Sequence, residues 1–268
     1  MSDENPACRQ TDPMDPARAE ALLRTLGRDG DIRAGDALPP FFHQVYFWDA
    51  LTSALLGRDG HPRVGQGLIP DMGLPRRMWA GGALAFHAPL RAGIAAEKLS
   101  SVLKAERKTG RTGPLGFVTL EHQIWQEDTL CVTDRQDLVY REDPDPTAPT
   151  PEPPLANTDE DSAIDVQFDS TTLFRYSALT FNGHRIHYDL DYAKQVEGYG
   201  GLVVHGPLLA QLLMLMADTP AAPLRSFAFR ATAPLMHFET ATLCRKGDQG
   251  WVRAPDGRQC MIARINGG

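Results

Sequence analysis

The run HGPLLAQLLMLMAD, residues 205–218, limits the possible folds more than any other part of this 268-residue chain. Leucine, methionine and alanine fill most of its positions, so a helix formed here is apolar on nearly every side. Pro207 suits the first turn of such a helix, where a backbone N–H is not needed. Because a helix without a polar face has to be covered all round, the run predicts a buried helix enclosed by other elements.

Strand-like runs follow this helix and also close the first half of the chain. Each run alternates apolar and polar residues between short turns, as antiparallel meanders with one solvated face do. The runs of the first half are residues 98–110, 114–126 and 129–142, with 77–90 as a further candidate. Those of the second half are residues 226–235, 241–248, 250–257 and 259–265. A sheet wrapped around one central helix is the hot-dog architecture.

Two such halves predict an α+β double hot-dog, with two antiparallel sheets each wrapped on a central helix. We expect the first half to be the degenerate one. It shows no equally obvious central helix, and its candidate, residues 43–57, reads equally well as a strand and a turn. The expected organisation is a disordered N-terminus (1–15), a degenerate hot-dog (16–140), a proline-rich acidic linker (141–163) and a second hot-dog (164–268).

Composition narrows the class of protein. A formal net charge of -7 argues against nucleic acid or an anionic membrane as partner. We expect neither a targeting leader nor a membrane span, because the first residues are polar and the apolar runs are short. Four scattered cysteines without paired spacing read as reduced thiols, and they are Cys8, Cys131, Cys244 and Cys260. We expect a cytoplasmic protein.

The segment FNGHRIHYDL, residues 181–190, is unusually polar for its apolar surroundings and allows three interpretations. Its histidines can be ordinary hydrogen-bonded residues. They can bind zinc, but His184 and His187 have no HExxH spacing and no cysteine partner, so zinc is disfavoured. They can also transfer a proton near pH 7. The third interpretation gains from Gly206, because a helix start offers backbone N–H donors to an oxyanion and glycine permits close approach.

These motifs resemble the MaoC-like, or (R)-specific, enoyl-CoA hydratases. TFNGHRIHYD, residues 180–189, is similar to their S-G-D-x-N-P-L-H-x-D signature, and GGLVVHGPL, residues 200–208, to the segment that starts the central helix. The resemblance covers roughly residues 15–266. It extends to the branch with mesaconyl-C4-CoA hydratases, through RRMWAGG, FHAPL and QDLVYRE at residues 76–82, 86–90 and 136–142.

The resemblance implies that His187 is the catalytic base and Gly206 the oxyanion donor, with no metal or cofactor and one site per chain. One position departs from the signature, because Asn182 stands where the family has aspartate. An amide cannot act as a base at neutral pH. Either His187 alone activates water while Asn182 orients it, or another carboxylate replaces the aspartate, the candidates being Glu121, Asp189 and Glu197.

The implied reaction is hydration of an α,β-unsaturated acyl-CoA such as mesaconyl-C4-CoA. Its distal carboxylate calls for a guanidinium, and Trp79 is a candidate wall of the acyl pocket. The residues expected to bind substrate are Arg185, His184, His205, Arg76, Arg77 and Trp79. Those expected near the CoA phosphates are Lys104, Arg107, Lys108 and Arg111. Plain surface or core roles explain these side chains as well.

Other activities stay open at the level of sequence. An itaconyl-CoA hydratase or a 3-hydroxyacyl-thioester dehydratase would use the same residues, and a non-catalytic acyl-CoA-binding protein is compatible with Asn182. A hot-dog thioesterase is less favoured, because the predicted central helix carries no carboxylate. The expected partner is an acyl-CoA thioester, and the chain is a monomer or a homodimer.

Overall fold

The structure is a computed structural model that describes residues 8–65, 67–110, 113–143 and 152–267. The chain divides into two compact units, residues 1–143 and 144–268. Each unit contains an antiparallel sheet of five strands.

The N-terminal unit confirms the predicted meander. Its elements are β1 (Cys8–Asp12), α1 (Pro16–Thr25), β2 (Arg76–Phe86), β3 (Ala96–Gly110), β4 (Gly113–Gln126) and β5 (Thr129–Arg141). The strands lie in the order β1-β3-β4-β5-β2. The three alternating runs form β3, β4 and β5, and the further candidate forms β2. Their buried residues alternate with exposed ones over much of the sheet, as expected for strands with one face in the core.

The expectation of disorder over residues 1–15 is wrong for part of that range. Residues 8–12 form β1, which pairs with β3 in register from Cys8 opposite Ser100 to Asp12 opposite Ala96. Asp12 is buried, and its carboxylate accepts a hydrogen bond of 3.0 Å from the backbone of Phe47. These pairings order a polar segment that has little apolar surface of its own. Residues 1–7 lie outside the described residues.

The N-terminal unit is degenerate as a hot-dog. The helix candidate at residues 43–57 overlaps only short 3₁₀ turns, Phe42–Val45 and Ser53–Leu55. The chain that follows is rich in glycine and proline, which disfavour a helix. Met72 and Leu74 from this stretch cover the sheet instead, packed in one apolar cluster with residues of β3, β4 and β5. Within the part of this unit that the structure describes, no helix is longer than the ten residues of α1.

The C-terminal unit holds the predicted buried helix. Its elements are β6 (Ser162–Val166), α2 (Ser170–Leu179), α3 (Gly206–Ala217), β7 (Leu224–Ala231), β8 (Ala241–Lys246), β9 (Gln249–Arg253) and β10 (Gln259–Gly267). The strand order is β6-β8-β9-β10-β7. Helix α3 is buried along most of its length and packs on β7, β8, β9 and β10. The prediction of a sheet wrapped on an all-round apolar helix is therefore confirmed, and the fold is a double hot-dog.

The expected linker is shorter than residues 141–163. Arg141 ends β5 and β6 already begins at Ser162, while residues 144–151 lie outside the described residues. Between them, the carbonyl of Pro154 accepts a hydrogen bond of 2.7 Å from Gln259, and that of Asn157 accepts one of 3.0 Å from the Trp251 indole. Residues 152–161 are thus held to the C-terminal sheet by hydrogen bonds that their composition does not reveal. Among the described helices, none has the length and apolarity needed to cross a membrane.

Candidate active site

The polar segment begins at a sharp helix end. Helix α2 is capped at its start by Asp169, whose carboxylate accepts from the backbone of Thr172 at 2.6 Å. At its other end Phe181 adopts a left-handed conformation with φ 51°, and the N–H of Asn182 donates back to the carbonyl of Ser177 at 2.8 Å. This six-residue closure is the usual helix stop, although glycine normally occupies the left-handed position. The turn redirects the chain into the histidine-rich segment.

Asn182 shapes the segment through its side chain. Its Oδ1 accepts a hydrogen bond of 3.0 Å from the backbone N–H of His184, which forms a local turn of the kind asparagine favours. The 3₁₀ turn Arg185–His187 follows directly. None of the described residues accepts a hydrogen bond from the Nδ2 amide of Asn182. The asparagine thus has one oxygen engaged in local structure and an amide group that can donate.

His187 is buried and held in one tautomer. Its Nδ1 lies 2.7 Å from the carbonyl oxygen of Val203, and only 6% of the residue is exposed. Because a carbonyl can only accept, Nδ1 carries the proton and Nε2 carries the lone pair. The N–H of Val203 in turn donates to the carbonyl of Ile186 at 3.0 Å, so both partners are fixed. The imidazole is therefore oriented to accept a proton at Nε2.

A second buried histidine lies against the first. The rings of His205 and His187 stack with their centroids 3.7 Å apart and an angle of 19° between their planes. His205 is fully buried, and its Nε2 is 2.8 Å from the Ser177 hydroxyl. Burial, and then the nearby His187 and His184, lower the pKa of His205 well below its usual value. His184 contacts His187 edge to face at 5.3 Å between centroids. The site is a group of three imidazoles.

The start of α3 is open at Gly206. A Cβ added to this glycine would meet no atom within 4 Å, so the space beside its backbone is unfilled. The helix has no side-chain cap and no acidic residue in its first turn. Its first N–H groups lack intrahelical partners and carry the positive end of the helix dipole. This geometry can stabilise a negative oxygen that approaches the backbone of Gly206.

Of the three carboxylates considered as substitutes for the missing aspartate, Asp189 has both oxygens engaged. Its Oδ1 accepts from the N–H of Tyr192 at 3.0 Å, and its Oδ2 pairs with Arg185 at 2.7 Å. The Tyr192 N–H, followed by Arg185, holds the pKa of Asp189 below its usual range. A carboxylate fixed in this way orders the loop rather than exchanging protons with water.

The other two carboxylates are also engaged. Glu197 is buried and accepts a hydrogen bond of 3.1 Å from the Tyr192 hydroxyl, at the end of a short π-helical turn, Tyr192–Val196. Glu121 lies on β4 of the N-terminal unit, where it pairs with Arg135 at 2.8 Å. The geometry brings together His187, His205, His184 and the start of α3, and it offers no carboxylate with an evident catalytic placement among these three candidates.

The predicted substrate-binding residues are distributed over both units. Arg185 pairs with Asp189, and its guanidinium lies 4.3 Å over the ring of Tyr192. Arg76, Arg77 and Trp79 are on β2, where Trp79 packs against the apolar cluster of the N-terminal sheet. Their contacts with substrate stay predictions.

The basic run expected near CoA is paired locally. Lys104 and Lys108 both contact Glu106, at 2.9 and 2.7 Å, and Arg107 donates to the carbonyl of Met72. Arg111 lies outside the described residues. These contacts favour a plain role on the sheet surface, and binding of CoA phosphates by these residues stays a prediction.

Sequence reasoning missed Ser177 and the carbonyl of Val203. Ser177 lies three residues before Thr180, inside a helix, where a serine has no distinctive signal. The Val203 carbonyl is a backbone group and has no sequence signal at all. Both become visible only when α2, the polar segment and the start of α3 meet in space.

Comparison with known proteins gives a family match and a similar relative. The sequence model of the hydroxyacyl-thioester dehydratase type 2 family matches residues 41–237. A Chloroflexus aurantiacus protein named mesaconyl-C(4)-CoA hydratase is 43% identical over 258 residues, which cover 93% of this chain and 91% of the relative.

Solved structures share the fold at low sequence identity. A MaoC-like dehydratase from Phytophthora capsici aligns with a TM-score of 0.68 at 14% identity, over 98% of this chain and 96% of that one. A Mycobacterium tuberculosis protein described as having a double hotdog fold aligns with a TM-score of 0.56 at 15% identity, over 98% and 95% of the two chains.

Proposed function

Because the chain belongs to the hydroxyacyl-thioester dehydratase type 2 family, we propose that it is a hydro-lyase acting on an acyl-CoA thioester. It reversibly adds water across the C=C bond of an α,β-unsaturated acyl-CoA, and its substrate is mesaconyl-C4-CoA, which yields citramalyl-CoA. The observation that carries the chemistry is the fixed tautomer of His187, which leaves its Nε2 as a base. The substrate rests on the relative named for it.

The addition of water takes place at the β-carbon of the thioester. His187 Nε2 accepts a proton from water as the water oxygen forms its bond to that carbon. The electron pair of the C=C bond moves toward the thioester carbonyl, and the developing enolate oxygen lies at the Gly206 N–H. One such donor contributes about 3–4 kcal/mol of transition-state stabilisation. The His187 imidazolium then returns the proton to the α-carbon, which restores the neutral base and closes the cycle.

Asn182 orients the water in this scheme. Its Oδ1 is engaged by the backbone of His184, while its Nδ2 amide can donate to the water oxygen. Since an amide cannot take a proton at neutral pH, His187 alone acts as the base. The local pairing of Asp189, Glu197 and Glu121 supports this division of roles.

Arg185 is our first candidate for the distal carboxylate of the substrate. Its guanidinium is held from one side by Asp189 and from below by the Tyr192 ring, and 39% of its side chain is exposed. A guanidinium fixed in advance loses little entropy when it binds a second carboxylate. Substrate contacts of Arg76, Arg77 and Trp79 stay predictions from the sequence. His184, at the edge of His187, is proposed to line the acyl pocket, whereas His205 is fully buried and is not proposed to contact substrate.

The experiment that tests this function follows the ultraviolet band of the conjugated thioester. Purified protein is mixed with mesaconyl-C4-CoA, and the His187→Ala variant is run alongside. We expect the band to fade with the wild type and to persist with the variant. If the band fades with neither protein and both proteins bind the thioester, the chain is an acyl-CoA-binding protein and not an enzyme.

A 3-hydroxyacyl-thioester dehydratase is a second candidate, favoured by the family match. It uses the same groups in the reverse direction, with water leaving from the β-carbon. Parallel assays with itaconyl-CoA and with 3-hydroxyacyl-CoA thioesters of increasing length separate the candidates. A preference for long chains without a second carboxylate would overturn the assignment of mesaconyl-C4-CoA.

We further propose that the protein is cytoplasmic and is a monomer or a homodimer. Light scattering of the purified protein distinguishes the monomer from the homodimer.

A further inference from the structure

His205 is an unusual residue to find in the interior of the C-terminal unit. It is fully buried, yet among the described residues its Nδ1 has no hydrogen-bond partner. A buried polar atom without a partner destabilises the folded state, so an apolar ring would fill the same space at lower cost. The proposed reaction as set out above does not require this nitrogen. The presence of an imidazole here therefore needs a reason other than packing.

The ring of His205 is held from two sides. The Ser177 hydroxyl of α2 lies 2.8 Å from its Nε2, and the ring of Tyr176 contacts it edge to face with centroids 4.9 Å apart. One face of the ring stacks on His187, with 3.7 Å between the two ring centroids. Ser177 and Tyr176 are neighbours on α2, whereas His205 directly precedes α3. The contacts of His205 therefore connect the two helices beside His187.

The electrostatic surroundings keep His205 uncharged. Besides His187, Tyr176 and the uncharged Ser177 hydroxyl, the stack has His184 at the edge of His187. Arg185, which directly follows His184 in the loop, is paired with Asp189. The Tyr176 hydroxyl is buried, and burial raises its pKa above the usual range, so it too is neutral. His187 is thus the group of the stack positioned to gain a charge when water is deprotonated.

We propose that His205, held by Ser177, is a positioning residue that orients the His187 ring and stabilises its imidazolium through the face of a neutral stacked ring. A cation over an aromatic face is attracted by the ring's π-electrons. The attraction exists only after His187 has taken the proton, so it favours the transition state over the resting enzyme. This inference rests on the proposed function, in which His187 is the base.

The test compares an aromatic with an aliphatic replacement. In His205→Phe the stacked face remains, whereas in His205→Leu it is lost at similar apolar volume. We expect His205→Leu to lower kcat about tenfold with little change in KM, and His205→Phe to retain several times more activity than His205→Leu. The acidic limb of the pH–rate profile should move about half a unit or more to lower pH in His205→Leu, because the protonated form of His187 has lost a stabilising contact.

Ser177→Ala removes the hydrogen bond without altering the stack directly. We expect kcat to fall about threefold at unchanged KM, since His205 is less firmly held. Ser170→Ala, at the exposed start of the same helix, is the matched control and should leave kcat unchanged. Thermal melts of each variant exclude loss of the fold as the cause.

Nuclear magnetic resonance of histidine-labelled protein gives a readout that does not need turnover. The ring-proton shifts of His187 should change in Ser177→Ala and in His205→Leu, and the midpoint of its titration should be lower in His205→Leu than in wild type. One result would overturn the stacking role: His187→Ala abolishes the turnover of the wild type, but His205→Leu and His205→Phe are equally active. The proposed hydratase activity would stand in that case. Absence of turnover in the wild type would overturn the proposed function, and the titration would still decide the role of His205.

Discussion

At the scale of single residues, the function depends on how backbone groups fix side chains. His187 becomes a base because the carbonyl of Val203 occupies its Nδ1. Asn182 supports the loop because its Oδ1 satisfies the N–H of His184. The same Oδ1 contact could be made by aspartate, so the loop does not require asparagine. The difference between the two residues lies in the Nδ2 donor and in charge.

Asn182→Asp tests that difference. The substitution preserves the acceptor for His184 but replaces the Nδ2 donor with a second acceptor and adds a negative charge to the segment that contains His187. We expect kcat to fall about tenfold and the acidic limb of the pH–rate profile to move to higher pH, because the charge favours the imidazolium. Steady-state kinetics from pH 5 to 9 check both effects. An Asn182→Asp variant as fast as the wild type would contradict the proposed donor role of the amide.

At the scale of elements, helix α3 has two roles with different requirements. Its buried length holds the C-terminal sheet around it, which depends only on apolar packing. Its first residue, Gly206, leaves space beside the backbone, which the packing of the helix does not require. Function and stability therefore make opposite demands at this position.

Gly206→Ala should separate these demands. The added methyl group meets no atom within 4 Å, and the φ of this residue is not in the left-handed region. We expect the free energy of unfolding to rise by about 0.5 kcal/mol, because alanine has less backbone freedom in the unfolded chain. We expect kcat/KM to fall about a hundredfold or more, because the methyl group blocks the approach of the thioester oxygen.

Urea denaturation and the thioester assay measure the two quantities of Gly206→Ala on the same preparation. Leu209→Ala is the comparison, since it truncates a buried side chain of the same helix and should lower stability by about 2–5 kcal/mol. A stable Gly206→Ala variant with full activity would show that the oxyanion is stabilised elsewhere.

At the scale of the whole molecule, the two units repeat one topology. In each sheet the first strand pairs with the third and the second strand pairs with the last, as the orders β1-β3-β4-β5-β2 and β6-β8-β9-β10-β7 show. Each unit also has a ten-residue helix after its first strand, capped by Asp15 in α1 and by Asp169 in α2. The units differ before the second strand, where only the C-terminal one has a long buried helix among the described residues.

The N-terminal sheet carries three neighbouring polar side chains, of which Ser100 and Asp134 are buried and His122 is partly buried. Ser100, His122 and Asp134 are opposite one another on β3, β4 and β5. The Ser100 hydroxyl is 2.7 Å from His122 Nδ1, and Asp134 contacts His43 at 3.3 Å. Burial, and then nearby Lys98 and His43, lower the pKa of His122 to about 4, despite the opposing effect of Asp134. This unit is therefore expected to be sensitive to acid.

The unit loses stability as the pH falls, because the pKa of His122 is lower in the folded state than in the unfolded state. The folded state binds the His122 proton more weakly than the unfolded state, whose histidine has a pKa near about 6.5. The stabilising effect is present in full above that value and is lost as the pH falls from about 6.5 to about 4. A difference of this size corresponds to a loss of the order of 3 kcal/mol.

Denaturant titrations at pH 7.5, 5.5 and 4.5 measure this loss, with His122→Gln as the comparison. We expect the unfolding free energy of the wild type to fall more steeply over this interval than that of the variant, which lacks the titrating ring. Parallel curves for the two proteins would show that His122 is not the group responsible.

The sequence by itself determined the periodic elements and the chemical types at the site. Alternation predicts the strands and the all-round apolar run predicts α3, since both depend on which residues must avoid water. The polar segment contains His187 and Asn182, and the start of the apolar run contains Gly206; their resemblance to a family signature indicated the site. The sequence did not reveal β1, the hydrogen bonds of residues 152–161, or the local pairing of Asp189 and Arg185.

Tertiary structure decided the features that depend on partners far apart in the chain. The tautomer of His187 is set by a carbonyl sixteen positions away, and the stack of His187 on His205 by the meeting of a loop with a helix start. Ser177 acquires a role only because α2 brings its hydroxyl to His205 across an interval of 28 residues. Periodicity records burial, but a hydrogen bond between distant groups leaves no periodic trace. The residue types of the site could therefore be predicted from the sequence, and their geometry could not.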